Sequence, residues 1–212
     1  MRHDLDLPTR LRRGLADLGL ALPDDCVDRL LAYLALLSRW NAAYNLTAVR
    51  DPAEMVPRHL LDSLAILPWV RGPRLLDVGT GPGLPGIPLA LADPGLRVTL
   101  LDSNGKKVRF CRQAVNELGI GSVEVVQARV EAYRPDTEFA TITARAVADL
   151  PSLVASVRHL LAADTTLLAM KGASPQAEIV VLRGEGFSAT SHRLLVPGIE
   201  GERHLVEIRE SP

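Results

Sequence analysis

The sequence predicts a doubly wound α/β domain with a mostly parallel, seven-stranded sheet and a helical extension in front of it. Three features carry the prediction. From Arg74 onward, short β-type runs alternate with helical segments and end in two consecutive runs, seven runs in all; a glycine-rich turn lies between the first run and the helix after it; and residues 1–70 show helical periodicity only. A chain of 212 residues suits one α/β core with a modest extension and is short for two independent catalytic domains. Residues 1–70 are therefore expected to pack as an extension on a single unit spanning 71–212.

Within the extension, Val27, Leu30, Leu31, Leu34, Leu37 and Tyr44 recur three and four residues apart after Pro23-Asp24, which predicts an amphipathic helix whose apolar stripe needs a partner. A second helix start follows at Asp51-Pro52-Ala53-Glu54, with Asp51 as N-cap, Pro52 in the first turn and Glu54 placed to close a capping box. That helix should carry Met55, Leu60, Leu64 and Leu67. The β-type runs are RLLDVG from Arg74, RVTLLD from Arg97, VEVVQ from Val123, FATITA from Phe139, TTLLAM from Thr165, and two terminal runs over 187–196 and 203–209. Helices are expected over 86–92, 104–118, 149–161 and 175–184. Strands alternating with helices of this length imply a mostly parallel sheet covered on both faces.

Composition narrows the function. The apolar fraction of 47% and charged fraction of 23% are those of a globular protein, which removes disordered and fibrous classes. No run approaches the roughly 18 uninterrupted apolar residues of a membrane span, and no apolar signal core opens the chain, so a cytoplasmic protein without a membrane partner is expected. Cys26 and Cys111 have no CxxC partner and no neighbouring His/Cys cluster, so neither a disulfide nor a metal site is expected and both should be buried. A net charge of −1 excludes coating of nucleic acid through bulk positive charge. Any such contact must come from a local patch. Aromatics at 4% disfavour a base-stacking platform.

The strongest chemical signal is Asp77-Val78-Gly79-Thr80-Gly81-Pro82-Gly83-Leu84-Pro85-Gly86, immediately after a β run and before a helix. Alternating glycines remove Cβ atoms where the chain turns sharply and let a ligand lie against bare backbone. Asp102, at the end of the second run, can accept hydrogen bonds from both hydroxyls of a ribose. Together they point to a cofactor containing a nucleoside. Gly81-x-Gly83-x-x-Gly86 also satisfies the dinucleotide fingerprint, so NAD competes with S-adenosylmethionine. Asp77 at the strand tip suits an ammonium group and not a pyrophosphate; Pro82 and Pro85 lack N–H groups a pyrophosphate would use; and little chain remains after Asp102 for a substrate domain. These features favour S-adenosylmethionine. After the third run, Val130 can pack on an adenine and Glu131 can meet its amino group, although Glu131 reads equally as a solvated helix-start residue.

At this point the residues resemble the bacterial 16S ribosomal RNA guanine-N7 methyltransferases, the RsmG/GidB family. The resemblance runs from about Leu30 to Val206. It rests on Trp40-Asn41, Asn45-Leu46-Thr47, Arg58-His59-Leu60-Leu61-Asp62-Ser63-Leu64, the turn extended to Ala90, LLDSNGKKVRF over 100–110, Arg145-Ala146, Lys171-Gly172 and Gly201-Glu202-Arg203-His204-Leu205. It implies a class I S-adenosylmethionine-dependent methyltransferase sheet with a helical extension. It places cofactor contacts on Gly79, Leu84, Val130, Glu131 and Arg145, with Asp102 and Ser103 as the ribose edge, beside the Asp77, Gly81 and Gly83 of the turn itself. The implied substrate is 16S ribosomal RNA, in the small subunit or an assembly intermediate, and a monomer is expected.

Guanine N7 carries its own lone pair, so its methylation needs no general base, and none of the usual devices for harder methylations is present. Recognition must then use O6 and the Watson–Crick edge of a base in a loop. Arg145 and Lys171, at the ends of core β runs, are candidates for anchoring O6 or a phosphate. Lys106 and Arg109, on one helical face with Gln113, form the best phosphate patch, and Arg203 and His204 could add to it, whereas Lys107 and Arg112 read at least equally as a solvated face. His59, Asp62 and Trp40 are expected to fasten the extension to the core or shape the RNA-facing rim. A methyltransferase of a small molecule or protein, an NAD-linked oxidoreductase and a non-catalytic ribosome-associated module remain open alternatives.

Overall fold

The computed structural model describes residues 6–146 and 149–211; the first five residues of the expected extension lie outside it. The extension comprises α1 (Leu7–Asp17), α2 (Asp24–Tyr44), α3 (Pro52–Met55), a π-helical stretch over Val56–Leu61, α4 (Asp62–Leu64) and a 3-10 turn over Leu67–Trp69. The core follows as β1 (Arg74–Val78), α5 (Gly86–Ala92), β2 (Arg97–Asp102), α6 (Gly105–Glu117), β3 (Val123–Gln127), β4 (Thr141–Arg145), α7 (Leu150–Val157), β5 (Thr166–Lys171), α8 (Gln176–Gly184), β6 (Phe187–Arg193) and β7 (His204–Glu210).

The seven strands lie in the order β3-β2-β1-β4-β5-β7-β6, with β7 antiparallel to β5 and β6 and the other pairs parallel. The order in which strands are added changes side between β1 and β4, which opens a crevice at the C-terminal strand ends where ligands of such sheets bind. Apolar residues alternate between faces. Leu75, Val98, Leu100, Leu168 and Leu205 join one core cluster with α1, α2, α5 and α6, while Leu76, Leu101, Ile142, Leu167 and Ile208 join another with α7 and α8. The apolar stripe of α2 thus finds its partner in the core itself: Val27, Leu30, Leu34 and Leu37 are buried in the same cluster as Leu89 and Phe110.

Two details of the extension differ from expectation. Tyr44 is 42% exposed. It closes α2, where Asn45 turns left-handed at φ 51° and ends the helix, and its ring rests on Trp40 at 5.2 Å instead of entering the core. Asp51 caps α3 by accepting the Ala53 N–H at 2.9 Å, but Glu54 pairs with Arg58 at 3.3 Å one turn on and closes no capping box. Both cysteines are buried, and burial pushes their thiols up; Cys111 Sγ lies 3.4 Å from the Gly81 carbonyl, beneath the glycine turn. Among the described residues, no helix is long and apolar enough to cross a membrane.

Candidate functional site

The glycine turn is held by its own backbone, where the Gly83 and Leu84 N–H groups both donate to the Thr80 carbonyl at 3.0 and 2.9 Å, and by side chains on either side of it. Gly79, Gly81 and Gly83 have φ of 64°, 61° and 91°, a region that other L-residues enter only with strain. A Cβ built on Gly79 would meet nothing within 4 Å, so the turn faces open space on the side of the strand ends. From the strand side, Asp77 Oδ2 accepts from the Thr80 hydroxyl at 2.6 Å and the Gly86 N–H at 2.8 Å, and Oδ1 accepts from the Thr143 hydroxyl at 3.2 Å. Asp77 is fully buried. The ammonium-facing role expected for it is therefore corrected: its carboxylate is the strut of the turn. From the other side, Tyr33 of α2 donates its hydroxyl to the Pro82 carbonyl at 2.8 Å. Tyr33 was hidden in the sequence among the apolar positions of α2, where only its burial would have shown that the hydroxyl needs a partner.

Asp102 closes the turn across β2. Its Oδ2 accepts the Gly81 N–H at 2.9 Å and its Oδ1 accepts the Asn104 N–H at 2.8 Å, while the Lys107 ammonium stands 3.9 Å from Oδ2. Lys107 thus leans toward the site, where neither the phosphate-patch nor the solvated-face reading placed it. Each carboxylate oxygen has a second lone pair free for a ligand hydroxyl. Beside it a cavity of about 180 Å³ opens at the ends of β1, β2 and β3, lined by Gly79, Asp102, Ser103, Val130 and Glu131, with Arg129. These five predicted positions are brought together. Asp77, Gly81, Gly83, Leu84 and Arg145 lie outside that lining; Leu84 is buried under the turn. The cavity offers carboxylate acceptors on one wall and the Val130 side chain on another, which fits a ribose and a base.

The motif residues of the extension build a joint at the neighbouring strand ends. Asn41 clasps the loop after α2, donating Nδ2 to the Val49 carbonyl at 3.1 Å and accepting the Thr47 N–H on Oδ1 at 2.9 Å. Thr47 Oγ1 lies 3.0 Å from His59 Nε2. Asp62 is buried between two arginines: Arg145 Nη1 stands 3.4 Å from Oδ2 and Arg203 Nε 3.4 Å from Oδ1. Burial raises the Asp62 carboxyl, and the two guanidiniums pull it back. Trp40 meets Phe110 of α6 edge-on at 5.7 Å. Asp62 and Trp40 thus fasten the extension to the core, whereas His59 bonds within the extension, to Thr47.

Two expected RNA-facing residues, Lys171 and His204, are corrected, while Arg203 keeps an exposed edge. Lys171 is 10% exposed and paired with Glu178 at 3.0 Å, and Glu178 Oε2 also accepts the Leu150 N–H at 2.6 Å, so this lysine ties β5 to α7 and α8. His204 is 11% exposed, with Nδ1 3.2 Å from Ser191 Oγ and Nε2 3.5 Å from Glu202. Arg203 is engaged by Asp62, as above, although its side chain keeps 30% exposure. Lys106 and Arg109 are exposed on α6 as expected, and Arg109 and Arg112 line a surface groove of about 550 Å³ with Asn116 and Gln127. Gln113 is held by Glu117 at 3.1 Å. Among the described residues, no cluster of three or more His, Cys, Asp or Glu side chains is placed to hold a metal ion.

Two buried groups of this region have opposed pH dependence. Burial lifts Asp77 from 3.8 to about 6 against the pull of its three hydrogen bonds, so its stabilising contribution is complete below pH 3.8 and is lost as pH rises through about 6. Burial and the Arg145 charge push His59 from 6.5 to about 4, so its contribution is complete above pH 6.5 and is lost as pH falls through about 4. The slopes oppose each other between those limits. Asp77→Asn is expected to remove one of them, so that denaturant midpoints fall from pH 6.5 to 4.5 more steeply in the variant than in the parent; parallel profiles would show that Asp77 does not titrate in this window.

A parallel sheet closed by one antiparallel strand, with a glycine turn after β1 and an acid ending β2, defines a class I S-adenosylmethionine-dependent methyltransferase. The glycopeptide N-methyltransferase MtfA, solved in complex with S-adenosylmethionine, has this fold, with a TM-score of 0.61 at 17% identity over 73% of this chain and 95% of that one. At the level of family, the GidB model, described as rRNA small subunit methyltransferase G, matches residues 27–206, and the chain belongs to that family. It is 55% identical over 199 residues to the ribosomal RNA small subunit methyltransferase G of Marinobacter nauticus (94% of this chain, 93% of the relative) and 54% identical over 206 residues to that of Alkalilimnicola ehrlichii (97% and 93%). The NAD-linked alternative is thereby overturned.

Proposed function

We propose that this protein transfers the methyl group of S-adenosylmethionine to N7 of a guanine in 16S ribosomal RNA, acting in the cytoplasm as a monomer on the small subunit or an assembly intermediate. The observation that carries the reading is family membership at more than half identity over nearly the whole chain. The chemistry of the strand ends agrees with it. S-adenosylmethionine supplies a methyl group already activated on a sulfonium. Asp102 and Ser103 would hold its ribose, Val130 would pack on its adenine, and Glu131 would meet the edge of that base. The end of β4, next to β1 in the sheet, carries Arg145 and, among the described residues of that strand, no general base. His59, buried and pushed toward its neutral form, sits in the joint with Thr47 and has no reaction proton to move. A nucleophile with its own lone pair needs none, so positioning and electrostatics do the catalytic work.

The test is transfer of radiolabelled methyl to undermethylated ribosomal RNA and to 30S particles, followed by borohydride–aniline cleavage at 7-methylguanosine. One cleavage in small-subunit RNA is expected; tight cofactor binding with no transfer to either substrate would overturn the reading. The exposed Lys106 and Arg109 supply phosphate contacts in this reading. Lys106→Ala with Arg109→Ala is expected to weaken binding to the particle and to reduce the dependence of log affinity on log salt by about 1 to 2, with cofactor affinity unchanged. An unchanged salt dependence would leave α6 as an ordinary solvated face.

A further inference from the structure

Four segments far apart in the chain converge on one carboxylate. Asp62 comes from the extension, Arg145 ends β4, Gly172 follows β5, and Arg203 precedes β7. Arg145 and Arg203 each stand 3.4 Å from Asp62, and Arg145 Nη1 also donates to the Arg58 carbonyl at 3.2 Å. Arg203 Nη1 donates to the Glu202 carbonyl at 2.8 Å, and a Cβ on Gly172 would lie 3.6 Å from that same nitrogen, so the guanidinium passes directly over the end of β5. In the sheet Arg145 is level with Met170, one strand over and two residues before Gly172. The two guanidiniums therefore sit over adjacent strand ends, at the crevice beside the cofactor cavity.

Their charge is only half compensated. Two cations share one acid, and the nearby charges are already matched: Arg58 pairs with Glu54, and Lys171 with Glu178. Arg145 and Arg203 keep 22% and 30% exposure, and among the described residues nothing accepts from the Nη2 of either. Two guanidiniums anchored on one carboxylate and keeping N–H groups to spare suit an oxyanion with two or more acceptor oxygens.

We propose that Asp62 assembles Arg145 and Arg203 into one anion clamp over the ends of β4 and β5, and that its ligand is a phosphodiester of the RNA strand next to the target base. The inference rests on the RNA reading above and adds to it a positioning residue, Asp62, and a defined site for one phosphate. A phosphate held there fixes the strand relative to the cofactor cavity without occupying N7 or any other base edge.

The test uses the full chain and undermethylated 30S particles, with KM for the particle measured over a range of salt and cofactor affinity measured separately by calorimetry. Methylation of the particle by the parent protein checks the RNA reading first, so failure there is distinct from failure of the clamp. Arg203→Gln is expected to raise KM on the order of tenfold, to reduce the salt dependence by about one phosphate contact, and to leave cofactor affinity unchanged. A raised KM with an undiminished salt dependence would indicate a base contact and overturn the phosphate assignment. Asp62→Asn separates positioning from charge by its sign. It adds positive charge to the site, so charge alone would tighten RNA binding, whereas loss of the shared anchor weakens it. The expected result is a raised KM, with Asp62→Asn and Arg203→Gln together costing less than the product of their separate effects. Tighter binding by Asp62→Asn, or independent effects in the double variant, would overturn the role of Asp62. If Asp62→Asn does not fold, Arg203→Gln alone decides whether the phosphate site exists.

Discussion

Replacing Asp102 by alanine is expected to reduce affinity for S-adenosylmethionine by one to two orders of magnitude, corresponding to about 1.4–3 kcal/mol for a charge-assisted pair of hydrogen bonds. The carboxylate lines the cavity and is the acceptor for ribose hydroxyls; it also satisfies the N–H groups of Gly81 and Asn104, so its loss loosens the glycine turn that shapes the same cavity. Titration calorimetry with the cofactor, run beside binding to small-subunit particles, checks the division of labour. Particle binding should stay within about threefold of the parent, because the RNA contacts assigned here lie on α6 and at the ends of β4 and β5. Equal loss of both affinities would mean that the two surfaces are not separable.

The second large effect concerns the extension. Leu37 is fully buried on α2, in the cluster that also contains Leu89 and Phe110 of the core. Leu37→Ala should destabilise the protein by about 2–5 kcal/mol, the range for a large-to-small change at a site that cannot collapse. Because the cluster runs without a break from extension to sheet, we propose that residues 1–70 and 71–212 unfold as one unit. Both tryptophans, Trp40 and Trp69, lie in the extension, so fluorescence follows that part while far-ultraviolet circular dichroism follows the whole chain. Coincident midpoints that shift together in Leu37→Ala are expected. Separate midpoints, with only the fluorescence transition moved, would show an extension that melts from an intact core.

The alternation of β runs and helices was legible because burial on both faces of a parallel sheet leaves unbroken apolar runs such as Leu75-Leu76 and Leu167-Leu168-Ala169. The turn was legible for the same local reason: glycines where φ is positive, and an acid one strand over. What escaped was everything decided at long range. Lys171 and His204 read as open strand-end residues because nothing in their neighbourhood of sequence announces Glu178 seven residues on, folded back by α8, or Ser191 across a hairpin. Asp77 reads as ligand-facing because its position at a strand tip is visible, while its donors come from the turn, through Thr80 and Gly86, and from Thr143 of β4, 66 residues on from Asp77. The pairing of Asp62 with Arg145 and Arg203 spans the whole core. The resemblance marked those residues as belonging together, and only the folded chain shows that they touch.

The bond from the Tyr33 hydroxyl to the Pro82 carbonyl bears on how proteins of this kind can be recombined. A residue of the N-terminal helices completes the hydrogen bonding of the turn that shapes the cofactor cavity, so the boundary near residue 70 is not a seam at which parts can be exchanged freely. A chimera that draws its first 70 residues from one parent and its sheet from another must take position 33 and the turn around position 82 as a matched pair. Otherwise it begins with a buried carbonyl unpaired at the rim of its own active site.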